Sequence, residues 1–195
     1  VETFLIRLSR GSGVQGLSSM KTVTQLEKKI KVIRPLLDLK KKDLTYISKK
    51  VFGRFFIDPS NSNKKYLRTK IRFLTKALEK SGIAHSQIIR SIKNLSSTND
   101  MVNDHIKRLK KEIVIKKNKT ISIDHKELFK ENSEIQLKLL GQSIKDLSKS
   151  YYPPRSKKIF NLLQELKLNK SRKLSLSKCS IEKDENFINI RKCDL

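Results

Sequence analysis

Two arginines with helical spacing are the first residues whose types and positions suggest chemistry. Arg68 and Arg72 lie four residues apart in a segment with apolar residues at every third or fourth position, so both belong on one face of a helix. A guanidinium group offers several fixed N–H donors and can stack on a base, which suits nucleotide recognition. The alternative is that both arginines are ordinary solvated helix charges.

Two further segments have polar or aromatic groups that could contact a nucleotide. Residues 10–13, Arg-Gly-Ser-Gly, could offer backbone N–H groups to a phosphate, or Gly11 could simply end the preceding helix in the left-handed conformation. Tyr151 and Tyr152 could stack on a base, or they could pack beside the two prolines that follow. The sequence leaves both pairs of alternatives open.

The cysteines and histidines indicate neither a metal site nor a redox site. Cys179 and Cys193 have no second pair and no nearby histidine, so neither zinc spacing nor a disulfide framework is supported. We expect two reduced thiols. The three histidines are scattered, and no chemistry is assigned to them.

The charge of the chain points to a polyanionic partner. Its 195 residues carry 45 Lys and Arg against 19 Asp and Glu, a formal net charge of +26. Neutralisation of phosphates by Lys and Arg dominates non-specific nucleic-acid affinity, although part of this excess reflects the Lys-, Ile- and Asn-rich composition of an AT-biased genome. The basic residues are spread over the chain instead of clustering on one amphipathic helix, which disfavours attachment to an anionic membrane. No apolar run is long enough to span a bilayer, and a cytoplasmic location is predicted.

Periodicity predicts the elements that must position these residues. An amphipathic helix opens the chain and ends before Gly11, and a second helix ends before Gly53. Alternation of apolar and polar residues predicts a strand at 29–33, a short strand at 119–123 and a C-terminal hairpin of 173–182 with 186–191. The helices are predicted at 41–50, 64–80, 86–95, 99–115, 126–147 with an interruption near Gly141, and 156–168, with a polar turn at 116–120.

Short motifs along the whole chain resemble those of one enzyme family. They are ETFLIRL at 2–8, RGSG at 10–13, GL at 16–17, RPLL at 34–37, DPSN at 58–61, YLRTKIR at 66–72, YPPR at 152–155 and LSLSKCSI at 174–181. In this order and at this spacing they look like the tRNA(Ile)-lysidine synthetases, which are PP-loop ATPases. Each motif is weak alone, and the resemblance depends on their order.

The resemblance implies a specific activity and specific partners. Enzymes of this family ligate lysine to the wobble cytidine of a CAU-anticodon isoleucine tRNA, with ATP and Mg²⁺ as cofactors, so tRNA(Ile) and lysine are the expected partners. The Gly- and Ser-rich ATP loop of the family, SGGxDS, does not occur in these 195 residues. Val1 and Glu2 resemble the last residues of a His- and Asp-rich motif that precedes ETFLIRL. We therefore expect an N-terminally truncated fragment that is inactive in isolation.

The resemblance also assigns roles to five residues. Glu2 matches an acidic residue near the reacting base, where its carboxylate could orient the cytidine or the incoming ammonium; compensation of the helix dipole is the alternative. Arg68 and Arg72 match the basic helix beside the anticodon pocket, and Arg72 is the better candidate for a contact to the target nucleotide. Arg10 and Arg34 lie in two other matching motifs and are assigned to tRNA binding.

The predicted fold class is α+β and predominantly helical. Residues 1–80 are expected to be the rear part of a PP-loop, Rossmann-like catalytic domain, and residues 81–195 a helical tRNA-binding unit closed by the C-terminal hairpin. The strand at 29–33 should lack sheet partners and expose apolar surface. The family often has two glycines before the cysteine of the last motif, and Ser177-Lys178 in their place weakens the argument for a tight turn there. The alternative function is a non-catalytic basic RNA-binding module.

Overall fold

The computed structural model describes residues 1–18, 20–27, 30–37, 39–54, 56, 58–63, 65–168 and 173–193. They form two compact units, Val1–Asp100 and Met101–Leu195. The fold class is α+β with mostly helical residues, as predicted.

The first unit is built mainly from short helices. Its elements are α1 Glu2–Leu8, α2 Val14–Leu17, β1 Val23–Glu27, β2 Ile30–Ile33, α3 Lys41–Phe52, a 3₁₀ turn Pro59–Ser62, α4 Leu67–Lys80 and the first part of α5. Two glycines follow helices α1 and α3 in the left-handed region, Gly11 with φ +66° and Gly53 with φ +68°. Both helix ends are therefore where the sequence predicts them, because glycine adopts this conformation without a Cβ clash.

Strands β1 and β2 form an antiparallel hairpin, with Val23 opposite Ile33. The strand predicted at 29–33 thus exists from Ile30 onward, while Lys29 lies outside the described residues. Its partner β1 was not predicted, so the expectation that this strand lacks a sheet partner is wrong. The expected exposed apolar surface is confirmed, since Ile30 and Ile33 are 51% and 64% exposed.

The first unit has a small apolar core. Among its described residues, only Ile71 on α4 and Ile92 on α5 are buried apolar side chains. Helix α3 has no buried residue, and its apolar stripe, which includes Ile47 and Val51, is largely exposed. Most of the stabilising apolar burial in the chain is therefore in the second unit.

Helix α5 is one continuous helix, His85–Ile113, and not the two helices predicted. Its apolar positions alternate spacings of four and three residues: Ile88, Ile92, Leu95, then Asn99, then Val102, Ile106, Leu109 and Ile113. Asn99 occupies one of these positions and is buried. The polar run before it therefore does not break the helix, and no Gly or Pro lies within α5. Even so, no helix in the described part of the chain is long and apolar enough to cross a membrane.

The second unit contains a five-stranded antiparallel sheet in the order β3-β4-β7-β6-β5. The strands are β3 Val114–Lys117, β4 Thr120–Asp124, β5 Leu174–Leu176, β6 Cys179–Lys183 and β7 Phe187–Lys192. The predicted C-terminal hairpin is therefore part of a larger sheet. The polar turn predicted at 116–120 is wrong for its first two residues, because Lys116 and Lys117 belong to β3 and pair with β4.

The tight turn before Cys179, for which Ser177-Lys178 weakens the sequence argument, is present in the structure. The predicted strand 173–182 is two strands, β5 and β6, in which Leu176 pairs with Cys179. The two residues between them, Ser177 and Lys178, have φ of 53° and 61°. They make a two-residue hairpin loop with both residues left-handed, a conformation that favours Asn-Gly or Gly-Gly.

Three helices complete the second unit: α6 His125–Lys130, α7 Ser133–Ser148 and α8 Ser156–Leu168. Helices α6 and α7 contact the strands of this sheet, and α8 packs against α7. The predicted interruption near Gly141 is wrong: the break lies before Ser133, where Asn132 caps α7 by accepting a hydrogen bond from the Glu134 N–H at 3.0 Å. The helices and strands share one apolar core, which includes Leu139, Ile144, Leu166, Ile181 and Ile190.

Candidate nucleic-acid interface

Helices α1 and α4 of the first unit pack together and border a cleft of about 660 Å³. The 3₁₀ turn that precedes α4 closes one side of it, so the turn chemistry of residues 58–61 positions both the loop and the helix. Four arginines and one carboxylate, that of Asp58, are among its lining side chains. The lining residues are Thr3, Ile6, Arg7, Arg10, Asp58, Asn61, Tyr66, Leu67, Arg68, Thr69 and Arg72.

An ion pair between Glu2 and Arg72 connects the two helices. The Arg72 Nε donates to Glu2 Oε1 at 2.6 Å, although the two residues are 70 positions apart. Arg72 Nη1 also donates to Asn61 Oδ1 at 2.9 Å. Glu2 lies in the first turn of α1, where the helix dipole favours a carboxylate. Because both side chains are 38% exposed, the pair contributes at most about 1 kcal/mol, and its main effect is to orient both groups.

Arg10 and Arg68 also line this cleft, and both are exposed. Arg10 follows α1, and Arg68 lies one helical turn before Arg72 on α4. Three of the five residues that the sequence singled out therefore line this cleft, and a fourth, Glu2, is joined to them only through its bond to Arg72. The cleft has an excess of positive charge and planar donors, which suits a phosphate and an adjoining base.

Arg34 lies elsewhere in the first unit. Its Nη1 donates to the Lys21 carbonyl at 3.2 Å and to Thr24 Oγ1 at 3.0 Å, so its guanidinium supports the β1–β2 hairpin. Arg34 is not among the residues that line the cleft. Its assignment to tRNA binding stays a prediction.

Two contributors to the cleft were missed by sequence reasoning. Arg7 lines it and donates from Nη1 to the Gly16 carbonyl at 2.6 Å, which connects α1 to α2. Asn61 lies in the DPSN motif, for which no contact was predicted, yet its Oδ1 accepts a hydrogen bond from Arg72. The turn motif itself was the available signal for Asn61, whereas nothing in the local pattern separates Arg7 from other helix charges.

The Glu2–Arg72 pair also borders a second cleft, of about 520 Å³. Lys41, Lys76 and His85 are among its other lining residues. Sequence reasoning assigned no role to His85, because neither its neighbours nor its spacing matches a motif. Arg72 thus lines both clefts, whereas Glu2 lines only the second.

The residues present do not fit the cofactors that the resemblance implies. Within the described ranges, no group of three or more His, Cys, Asp or Glu side chains could hold a metal ion. The SGGxDS loop is likewise not in the sequence. No step through ATP or Mg²⁺ is therefore derived from these residues.

Comparison with known proteins identifies the class of this chain. Residues 1–78 match the family of PP-loop domains. A tRNA(Ile)-lysidine synthase of Wolbachia pipientis wMel is 33% identical over 204 residues, which cover 97% of this chain and 44% of that protein. The same named enzyme of the Wolbachia of Brugia malayi is 32% identical with the same coverage, and that of Prochlorococcus marinus is 44% identical over 71 residues.

The first unit thus contains a PP-loop domain segment, in the region that carries the arginine-lined cleft. Because the similarity to one named enzyme extends over almost all 195 residues, the assignment can be made more specific. The chain belongs to the tRNA(Ile)-lysidine synthase family. It spans less than half the length of the Wolbachia relatives.

Proposed function

We propose that this chain acts in tRNA modification, as part of an enzyme that ligates lysine to the wobble cytidine of CAU-anticodon tRNA(Ile). The relatives named as tRNA(Ile)-lysidine synthases support this proposal, and the arginine-lined cleft between α1 and α4 is the observation that carries it. The reaction is ATP-dependent by family resemblance, and it takes place in the cytoplasm.

In this proposal the cleft residues divide into two roles. Arg10 and Arg68 contact phosphates of the anticodon loop, since both are exposed cations at the cleft. Arg72 is a positioning residue that fixes the Glu2 carboxylate through Oε1. The second carboxylate oxygen of Glu2 can then accept a hydrogen bond from the cytidine amino group or from the lysine ammonium.

A binding titration of the 195-residue chain tests the cleft. Fluorescence anisotropy with a labelled CAU anticodon stem–loop, repeated at several salt concentrations, gives the affinity and its salt slope. Arg68→Ala should weaken binding about fivefold, equivalent to about 1 kcal/mol. It should also reduce the salt slope by about 0.7 to 0.9, the value for one lost phosphate contact.

Arg90→Ala is the matched control. Arg90 is an exposed arginine on α5 that lines none of the clefts described above. An equal effect of the two substitutions would show that only general charge matters and would contradict the proposal. Lysine incorporation should be undetectable with these 195 residues, which contain no SGGxDS loop, and ligation by them would contradict the need for that loop.

A further inference from the structure

Tyr151 and Tyr152 form an exposed aromatic pair in the segment between α7 and α8. Their ring centroids are 4.4 Å apart with an interplanar angle of 82°. Tyr151 is 50% exposed and Tyr152 is 74% exposed. Burial against the following prolines therefore does not explain these rings, because both keep much of their surface in water.

The backbone that carries the rings is fixed on both sides. Lys149 ends α7 in the left-handed conformation, with φ 54°. Pro153 packs where α7 has Gly141, since a Cβ at that glycine would be 3.8 Å from the Pro153 ring. The Arg155 carbonyl accepts the Lys158 N–H at 2.8 Å and so begins α8. The tyrosines are thus presented from a short segment anchored to two helices.

The charged residues near the two tyrosines in the sequence are all basic. No acidic residue occurs between Asp146 and Glu165. The cations of this stretch are all exposed, and none of them makes an ion pair within the described residues; they are Lys149, Arg155, Lys157 and Lys158. Single-stranded nucleic acids bind to exposed aromatic rings that have cations close by in the same protein segment. Their bases stack on the rings, and their phosphates pair with the cations.

We propose that Tyr151, Tyr152 and the adjoining cations form a stacking site for unpaired nucleotides of a bound RNA. The inference rests on the proposed function for the class of ligand, and adds a second contact region, in the second unit. Double-stranded segments are poor ligands for this site, because their base faces are already covered by neighbouring bases. Stacking on an aromatic ring tolerates every base, because each base has a π-face, so the site should accept any unpaired base.

The test uses the complete 195-residue chain and two labelled probes, a 12-nucleotide oligouridine and a 12-base-pair RNA duplex. Tyr152→Ala should weaken oligouridine binding about 5- to 150-fold, the range for one lost base–aromatic stack. Tyr152→Phe keeps the ring and should stay within about twofold of the parent. Tyr46→Ala removes a ring that is 64% exposed on α3 and serves as the matched control. Duplex binding should be unchanged in all three variants.

The salt dependence separates the rings from the cations. Tyr152→Ala should leave the slope of log affinity against log salt unchanged, since no phosphate contact is lost. The double substitution Lys157→Ala with Lys158→Ala should reduce that slope by about 1.4 on oligouridine, or about 0.7 for each phosphate.

Several outcomes would overturn the stacking site while leaving the proposed function intact. In the first, the parent chain binds the stem–loop, but Tyr152→Ala leaves its affinity for oligouridine unchanged. In the second, Tyr152→Ala weakens binding to oligouridine and to the duplex by the same factor. If Tyr152→Ala instead weakens binding only to vesicles of phosphatidylcholine and phosphatidylserine, the rings belong to a membrane contact and the RNA proposal is wrong. Failure of the parent chain to bind the anticodon stem–loop would refute the proposed function itself.

Discussion

The two-residue loop between β5 and β6 has a backbone conformation that its side chains disfavour. Ser177 and Lys178 have φ of 53° and 61°. In this region the Cβ of an L-residue approaches the following carbonyl oxygen, which costs about 1–2 kcal/mol for each residue. Two-residue hairpin loops of this kind prefer Asn-Gly, because glycine has no Cβ.

Replacing Lys178 with glycine should therefore stabilise the second unit. The substitution removes about 1–2 kcal/mol of strain but adds about 0.4–1 kcal/mol of unfolded-state entropy. The net gain is about 0.5–1 kcal/mol, which corresponds to an increase in Tm of about 2–8 °C for a domain of this size. Thermal unfolding followed by far-UV circular dichroism measures the shift, and slower amide exchange in β5 and β6 would place it at the loop.

Lys178→Ala is the control for the loss of the lysine charge. It removes the ammonium but keeps the Cβ, so the strain remains and the Tm should not rise. A Tm increase with Lys178→Ala as large as that with Lys178→Gly would attribute the effect to charge. A decrease with Lys178→Gly would refute the strain argument.

Two further substitutions test a set of hydrogen bonds and a close packing contact in the second unit. Asp184 accepts hydrogen bonds from the Asn186 and Phe187 N–H groups at 2.9 and 2.7 Å, and these bonds lower its pKa below the ordinary 3.8. Its stabilisation should therefore be present above the ordinary 3.8 and decline as the pH falls through the lowered pKa. In urea titrations Asp184→Asn should cost at most about 1 kcal/mol at pH 7, because solvent screens the exposed carboxylate, and this cost should shrink as the pH is lowered; a cost that does not change with pH would contradict this. Gly141→Ala should destabilise the second unit by about 1–2 kcal/mol in the same assay. A Cβ at this position would lie 2.6 Å from Ile159 Cδ1 in the core, and the resulting strain exceeds the gain in helix propensity. A higher urea midpoint for the variant would contradict this prediction and show that Ile159 can move aside.

Features that depend on neighbouring residues were predictable from the sequence. Helix α3 begins at Lys41 as predicted, and Gly53 ends it in the left-handed conformation. Helix α8 has the predicted bounds, 156–168. Such signals are local, since apolar spacing and the special conformations of glycine act over one or two turns.

Features that depend on distant partners were not predictable in the same way. Strand β3 is too short to have a clear alternation, and it is a strand because β4 pairs with it. In α5 the polar run before Asn99 suggested a break, although the buried face continues through Asn99 itself. In both cases long-range packing overrides a weak local preference.

The candidate site shows the same difference between features that depend on neighbouring residues and features that depend on distant partners. Motif resemblance singled out Glu2 and Arg72 separately, but only the fold joins them through a 2.6 Å bond. That contact changes how the charge of the chain should be interpreted. Arg72 is partly neutralised by Glu2, so it contributes less to phosphate attraction than a formal count implies, while Arg10 and Arg68 retain more of theirs. The net charge of +26 therefore predicts a polyanionic partner, whereas in the proposed function the pairing pattern separates the arginines that would hold that partner from the one that orients the carboxylate.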